Sequence, residues 1–345
     1  MNKTQLIGQN LKELQLFCIN NEYPKFHGSQ LYQWFYKQSK QSIEDMTNIP
    51  NGLKKIIKEN YDIELLKIKK QLSSNIDDTN KFLLETIDNK LIECVSMIDK
   101  NRHTVCLSSQ IGCSVDCDFC ATGKMGIIRN LTTGEILNQL HIVNNKIKNQ
   151  SITNIVFMGM GEPFLNYENV LKACEIINDK DGFNISSKKI TISTAGILPK
   201  IKQFITEERK YKLAISLNSA INKTRTQLMP INKKWPINEI INTIKRYKFN
   251  KYRPFMFEYA IMQDINDTVE DAKEIIKLLK NINCKINIIP YNYTYGAYKR
   301  PNNDTIEKFI SILNSNNNNL KVFIRNSKGQ DIDAACGQLV TKNET

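Results

Sequence analysis

Between residues 103 and 325, short apolar runs alternate with amphipathic segments in a way that leaves few folds open. The runs at 103–107, 152–158, 189–193, 212–217, 255–262 and 286–290 have strand character, and a last one follows at 321–325. Between them lie helix-like segments such as 134–149, 168–178, 238–248, 269–280 and 305–314. Six repeats of strand then helix call for a parallel sheet, since each crossover returns the chain to the end it left. The expected fold class is α/β, a partial (βα)6 barrel. Thr132-x-x-Glu135 supplies a capping box for the first of these helices.

Barrels of this kind carry their chemistry at the C-terminal ends of the strands. There the sequence places Cys113, Cys117 and Cys120 after the first strand and Gly159-Met160-Gly161-Glu162-Pro163 after the second. Ser193 ends the third, Ser216-Leu217-Asn218 the fourth and Pro290-Tyr291-Asn292 the sixth. Cysteines at C-x3-C-x2-C spacing suit a [4Fe-4S] cluster, in which three thiolates leave one iron open. Structural zinc prefers four ligands, often from two separated pairs; no second C-x2-C exists, and His103 would have to reach across from its strand. An open iron can be chelated by the amino and carboxylate groups of S-adenosylmethionine, and the glycines and Glu162 would suit the amino group. Read singly, the strand-end residues are also ordinary turn and cap residues.

Three further residues are candidates. Cys106 ends the first barrel strand, seven residues before the trio. Cys336 lies between Ala335 and Gly337 in the closing segment 329–339, where a free cysteine is by default a small buried hydrophobe. Glu93 interrupts an apolar strand before Cys94, as the outer face of a hairpin or as a catalytic base. Cys18, Cys94, Cys174 and Cys284 sit in apolar patterns and read as core.

The formal charge of +13 is spread along the chain and suits a phosphate-bearing partner, although the Lys-, Asn- and Ile-rich composition accounts for part of it. Clustered thiols point to a reducing compartment. No apolar run approaches the roughly 18 residues of a membrane span, and the N-terminus lacks a signal-peptide apolar stretch, so a cytoplasmic protein without membrane partners, acting as a monomer, is expected. Residues 1–80 read as a helical accessory domain able to meet RNA, with helices at 6–19, 30–38 and 53–58. Residues 81–325 read as the barrel with a leading hairpin (82–87 and 91–98), and 326–345 as a C-terminal segment.

Longer strings narrow the reading. SSQIGCSVDCDFCATGKMGIIRNLTTGEI, FMGMGEPFLN, MPINKKWP, KINIIPYN and GQDIDAACGQL occur in this order. Together they resemble the radical S-adenosylmethionine RNA methyltransferases of the RlmN/Cfr group, over roughly residues 93–339 and more loosely before. The resemblance implies methylation of an adenine carbon in 23S rRNA and certain tRNAs, with an unidentified electron donor and two S-adenosylmethionine molecules per turnover. It implies Cys336 as an S-methylcysteine carrier and Cys106 as the thiol that releases product through a transient Cys106–Cys336 disulfide. Glu93 takes the family's proton-acceptor position, although Cys106 could do that work. Gly161, Glu162, Ser193, Ser216, Leu217, Asn218 and Asn292 become cofactor contacts. Asn218 departs from the group's usual His. Pro163 and Pro290 stand where the carbon-8 branch has Ala and Arg, which favours carbon 2; carbon-8 methylation and a zinc-stabilised RNA-binding protein are the alternatives.

Overall fold

The structure, a computed structural model, describes residues 3–40, 42–246, 254–294, 296–315 and 320–341. The chain opens with β1 (Thr4–Gln5), α1 (Leu11–Asn20), α2 (Phe26–Tyr32), a π-helical turn at Gln33–Lys37 and α3 (Asn51–Asn60), closed by β2 (Tyr61–Asp62) pairing in parallel with β1. The expected helix at 6–19 starts only at Leu11. Asn10 caps it, its side chain accepting from the Glu13 N–H while Glu13 returns a bond to the Asn10 N–H. Leu6 and Ile7 are buried ahead of it, Leu6 continuing the pairing of β1 with its N–H on the Asp62 carbonyl and Ile7 opening a turn. The expected 30–38 helix also shifts, because α2 begins at Phe26 and passes into the π turn.

Next come β3 (Leu66–Ser73), β4 (Thr79–Thr86), β5 (Leu91–Asp99) and β6 (Arg102–Cys106), successive antiparallel neighbours. The hairpin is thus longer than 82–98 and belongs to the barrel's own sheet, because β6 is shared. A small antiparallel pair, β7 (Gln110–Gly112) and β8 (Ile127–Asn130), brackets the cysteine loop. The parallel part then runs α4 (Thr133–Lys146), β9 (Asn154–Phe157), α5 (Tyr167–Asn178), β10 (Ile190–Thr194), α6 (Leu198–Thr206) and β11 (Lys212–Ser216). It continues through α7 (Asn222–Leu228), α8 (Ile237–Arg246), β12 (Phe255–Ile261), α9 (Val269–Leu279), β13 (Cys284–Pro290), α10 (Asn303–Ser315) and β14 (Leu320–Ile324). Of the expected 238–248 helix, positions 247 and 248 lie outside the described residues.

One sheet, ordered β3-β4-β5-β6-β9-β10-β11-β12-β13-β14, holds ten strands, parallel from β6 to β14. β3 and β14 are its edges, so the barrel is partial, with the predicted six crossovers. The capping box forms as read: Thr132 accepts from the Glu135 N–H, and Glu135 accepts from the Thr132 N–H at 2.9 Å. Arg129 forks between Glu135 and Asp88 at 2.6–3.0 Å, tying the β4–β5 turn to the start of α4. Cys18, Cys94, Cys174 and Cys284 are fully buried. Among the described residues no helix is long and apolar enough to cross a membrane.

Candidate active site

The five strand-end groups do meet. A cavity of about 180 Å³ at the C-terminal rim is lined by Cys113, Cys117, Cys120, Gly161, Glu162, Ser193, Ser216, Asn218, Asn292 and Cys336. A larger one, about 1150 Å³, runs through the barrel interior and is lined by Cys106, Cys336 and Met158 among others. Cys336 is therefore a wall of both. Leu217 and Glu93 line neither.

Burial pushes the Cys106 and Cys113 thiols up to about 12 and raises those of Cys117 and Cys120. Buried thiols stay protonated unless a cation compensates the thiolate, and metal coordination does so outright. Backbone N–H groups act in the same sense, Val115 toward Cys113 and Thr122 toward Cys120. Hydrogen bonds of this type tune cluster sulfurs. Among the described residues no three His, Cys, Asp or Glu side chains converge as for a single ion; the three thiols stand around a cavity, an arrangement that suits a multi-iron group with one thiolate per iron. The donor set thus fits an iron–sulfur cluster held by Cys113, Cys117 and Cys120.

Gly161 has φ +96°, and a Cβ there would lie 2.4 Å from the Gln110 side chain. Only glycine fits both the angle and the space. Glu162 is buried; its carboxylate accepts from the Phe164 N–H at 2.9 Å and the Ala195 N–H at 2.7 Å, and desolvation raises its pKa to about 7. Asn218 sits at φ +52°, a region in which Asn and His are both enriched, so the backbone shape survives the departure from the group's usual residue. Its amide is engaged, Oδ1 accepting from the Ala260 N–H at 2.9 Å and Nδ2 reaching Met229 Sδ at 3.2 Å. Leu217 is buried and contributes only backbone, its N–H on the Glu258 carbonyl.

Arg225 was not singled out in the sequence, yet it organises this rim. Fully buried, it donates to the carbonyls of Leu217 (3.0 Å), Ser216 (3.0 Å) and Ala195 (2.9 Å) and to Asn232 Oδ1 (2.7 Å). It clasps the ends of β10 and β11, and its charge favours the Cys117 thiolate. One arginine among scattered basic residues gives no periodic or spacing signal.

The segment bearing Cys336 is held from several sides. Asn292 Nδ2 donates to the Cys336 carbonyl at 3.1 Å, and the Ala121 N–H donates to the Gly337 carbonyl at 2.8 Å. Gly337 turns the chain at φ +85°. Beneath lie Lys81 and Glu93, a buried ion pair at 3.1 Å. Lys81 donates to the Asp333 carbonyl at 3.2 Å, and Glu93 Oε2 accepts from the Val340 N–H at 2.9 Å. Glu93 thus stands behind the segment that bears Cys336. All nine cysteines are free thiols.

Thiols on a loop after the first parallel strand, facing a glycine–glutamate turn across the rim of a partial barrel, define a radical SAM enzyme. Residues 107–279 match the Radical SAM superfamily, and residues 4–63 match the ribosomal RNA large subunit methyltransferase N-terminal domain. The crystal structure of a radical SAM methyltransferase from Sphaerobacter thermophilus superposes with a TM-score of 0.93 at 36% identity, covering 97% of this chain and 99% of that one. The chain belongs to the RlmN family of dual-specificity RNA methyltransferases. It is 42% identical over 335 residues to the probable dual-specificity RNA methyltransferase RlmN of Clostridium botulinum (strain Alaska E43 / Type E3), covering 97% of this chain and 95% of the relative. The corresponding Thermotoga maritima protein is 40% identical over 337 residues, at 98% and 97% coverage. A [4Fe-4S] cluster and S-adenosylmethionine are the cofactors this superfamily implies.

Proposed function

We propose that the protein methylates carbon 2 of adenine in 23S rRNA and in certain tRNAs, with Cys336 as carrier of the methyl group and Cys106 as the releasing thiol. One observation carries this reading: Cys336 borders both cavities while Cys106 borders only the larger. A sulfur in that position can be loaded on one side and discharged on the other. The bound cofactors would supply a one-electron source and the methyl groups, two molecules of S-adenosylmethionine per turnover.

The protein's own groups do the rest. Carbon 2 of adenine is electron-poor and cannot attack a methyl sulfonium by itself, so the Cys336 methyl would give up one hydrogen atom to the radical that the bound cofactors supply, and its carbon then joins the ring while still attached to Cys336. Glu162 and the neighbouring strand ends orient the cofactor. In the state described, Glu93 keeps both oxygens on Lys81 and Val340. Acceptance of the ring proton by Glu93 therefore requires one of those partners to let go, a condition that does not apply to Cys106, already on the cavity wall. Attack of the Cys106 thiolate on Cys336 sulfur breaks the Cys336 S–C bond, the carbon departs with the bonding pair and takes a proton to become the methyl group of the base, and a Cys106–Cys336 disulfide remains. An external two-electron reductant then restores both thiols. The +13 charge supports a polyanionic substrate.

The deciding experiment is mass spectrometry of RNA treated with the purified holoenzyme, resolving 2-methyl- from 8-methyladenosine, alongside the mass of the Cys336 peptide. Carbon-2 product with a peptide fraction heavier by one methylene is expected. Methylated RNA from a protein whose Cys336 is never modified would remove the carrier role.

A further inference from the structure

Two charged side chains in the barrel interior are unused by this chemistry. Glu258 on β12 is 6% exposed and lines both cavities. Its Oε1 accepts from Asn287 Nδ2 at 2.8 Å, while Oε2 is buried without a partner. Arg325, just past β14, lines the larger cavity only, and its guanidinium bonds the Met158 thioether at 3.3 Å. The two attract each other, and Arg325 also lies within the field of Cys106 and Cys336. Glu258 nonetheless takes no hydrogen bond from Arg325.

A buried carboxylate oxygen with no donor is costly, and a thioether is a poor match for a guanidinium. Both deficits disappear if a molecule between them brings a donor to one and an acceptor to the other. Adenine has that edge, an exocyclic amine beside a ring nitrogen. Guanine carries a carbonyl where adenine has the amine, and a carboxylate would repel it. Because Arg325 and Cys106 belong to the larger cavity, the pair faces the base to be modified.

We propose that Glu258 and Arg325 read the target base as adenine, Glu258 Oε2 accepting from the exocyclic amine and Arg325 donating to the adjacent ring nitrogen. This rests on the larger cavity seating the RNA base.

The test compares two ribosomal RNA fragments identical except at the target nucleotide, adenosine in one and purine riboside, lacking the amine, in the other. Both the kcat/KM of methylation by the holoenzyme and the Kd of the RNA are read. A charge-assisted hydrogen bond predicts a preference for adenosine of about 10- to 100-fold in the wild-type protein. Glu258→Ala should bring the two RNAs within about 3-fold, and Glu258→Gln, which keeps a carbonyl acceptor, should retain most of the preference. Equal treatment of the two RNAs by the wild-type protein, or a preference that survives Glu258→Ala, overturns the proposal. So does a fall of tenfold or more in S-adenosylmethionine affinity with base preference intact, which would move Glu258 to the cofactor side. If Glu258→Ala does not fold, the wild-type and Glu258→Gln ratios decide. Failure of the wild-type protein to methylate the adenosine RNA would sink the reading of the cavity itself, and this proposal with it.

Discussion

Arg225→Met tests whether the rim is held by one side chain. Methionine keeps most of the stem's volume and removes every donor, which separates hydrogen bonding from cavity formation. Four acceptors lose a donor: the carbonyls of Leu217, Ser216 and Ala195, and Asn232 Oδ1; of these, the Leu217 carbonyl keeps the Ser219 N–H at 2.6 Å and Asn232 Oδ1 keeps the Ile237 N–H at 2.9 Å. At about 1 kcal/mol for each hydrogen bond lost, its usual net worth, the sum is about 4 kcal/mol. Removing a desolvated cation returns part of this, so the net loss should be about 3 kcal/mol, a large share of the 5–15 kcal/mol typical of a domain. Arg225→Lys keeps the charge without the planar fork and should cost about 2 kcal/mol. Urea unfolding followed by circular dichroism reads the change as a lower midpoint at constant slope. Hydrogen exchange should place the loosening at 195–197 and 216–219. An Arg225→Met protein that unfolds at the wild-type urea concentration, with those amides still protected, would refute the argument.

His141 is fully buried, with neither ring nitrogen partnered, between Tyr36 and Phe183; burial holds its pKa down at about 3. Below its ordinary value near 6.5 the unfolded chain takes a proton that the folded one refuses, so stability falls as pH drops from about 6.5 to 3, by about 1.4 kcal/mol per unit. His141→Phe should flatten that slope relative to wild type in urea titrations between pH 6.5 and 4; parallel curves would rule the residue out. Cys106→Ala should accumulate an RNA–protein adduct visible on denaturing gels, and clean turnover by that variant would remove Cys106 from the release step. Glu93→Gln should weaken the Lys81 ion pair and speed amide exchange at Val340 about tenfold, as for loss of roughly 1.4 kcal/mol of local stability; unchanged exchange would show that the segment is held elsewhere.

The barrel was readable because buried parallel strands and amphipathic crossovers leave two different periodicities, and the cysteine loop because ligand spacing is local. The strand-end rule was enough to bring Cys113, Glu162, Ser193, Asn218 and Asn292 around one cavity. The first helix was misplaced because Leu6 and Ile7 continue its apolar spacing while serving the end of a strand and the turn after it, and pattern alone does not separate these. The leading hairpin joins the barrel sheet through the two-residue turn Lys100-Asn101 between β5 and β6, which lacks the glycine that usually marks such a turn. Arg225, Lys81 and Arg325 were invisible for a different reason: their partners lie on other elements, and a basic residue in a lysine-rich chain carries no pattern. Glu258 did leave a trace, a charge inside the apolar strand FMFEYAI.

Lys81 and Glu93 pair within the early hairpin, yet the groups they secure, the Asp333 carbonyl and the Val340 amide, lie 252 and 247 residues further along the chain. During synthesis every strand of the sheet leaves the ribosome before Cys336 does. The hairpin can be laid down while the segment that bears Cys336 is still untranslated, and docking of that segment is a long-range closure that comes later. With Cys336 in the role proposed for it, competence for methyl transfer is set late in the maturation of the chain, when the polypeptide returns to a seat prepared in its first hundred residues.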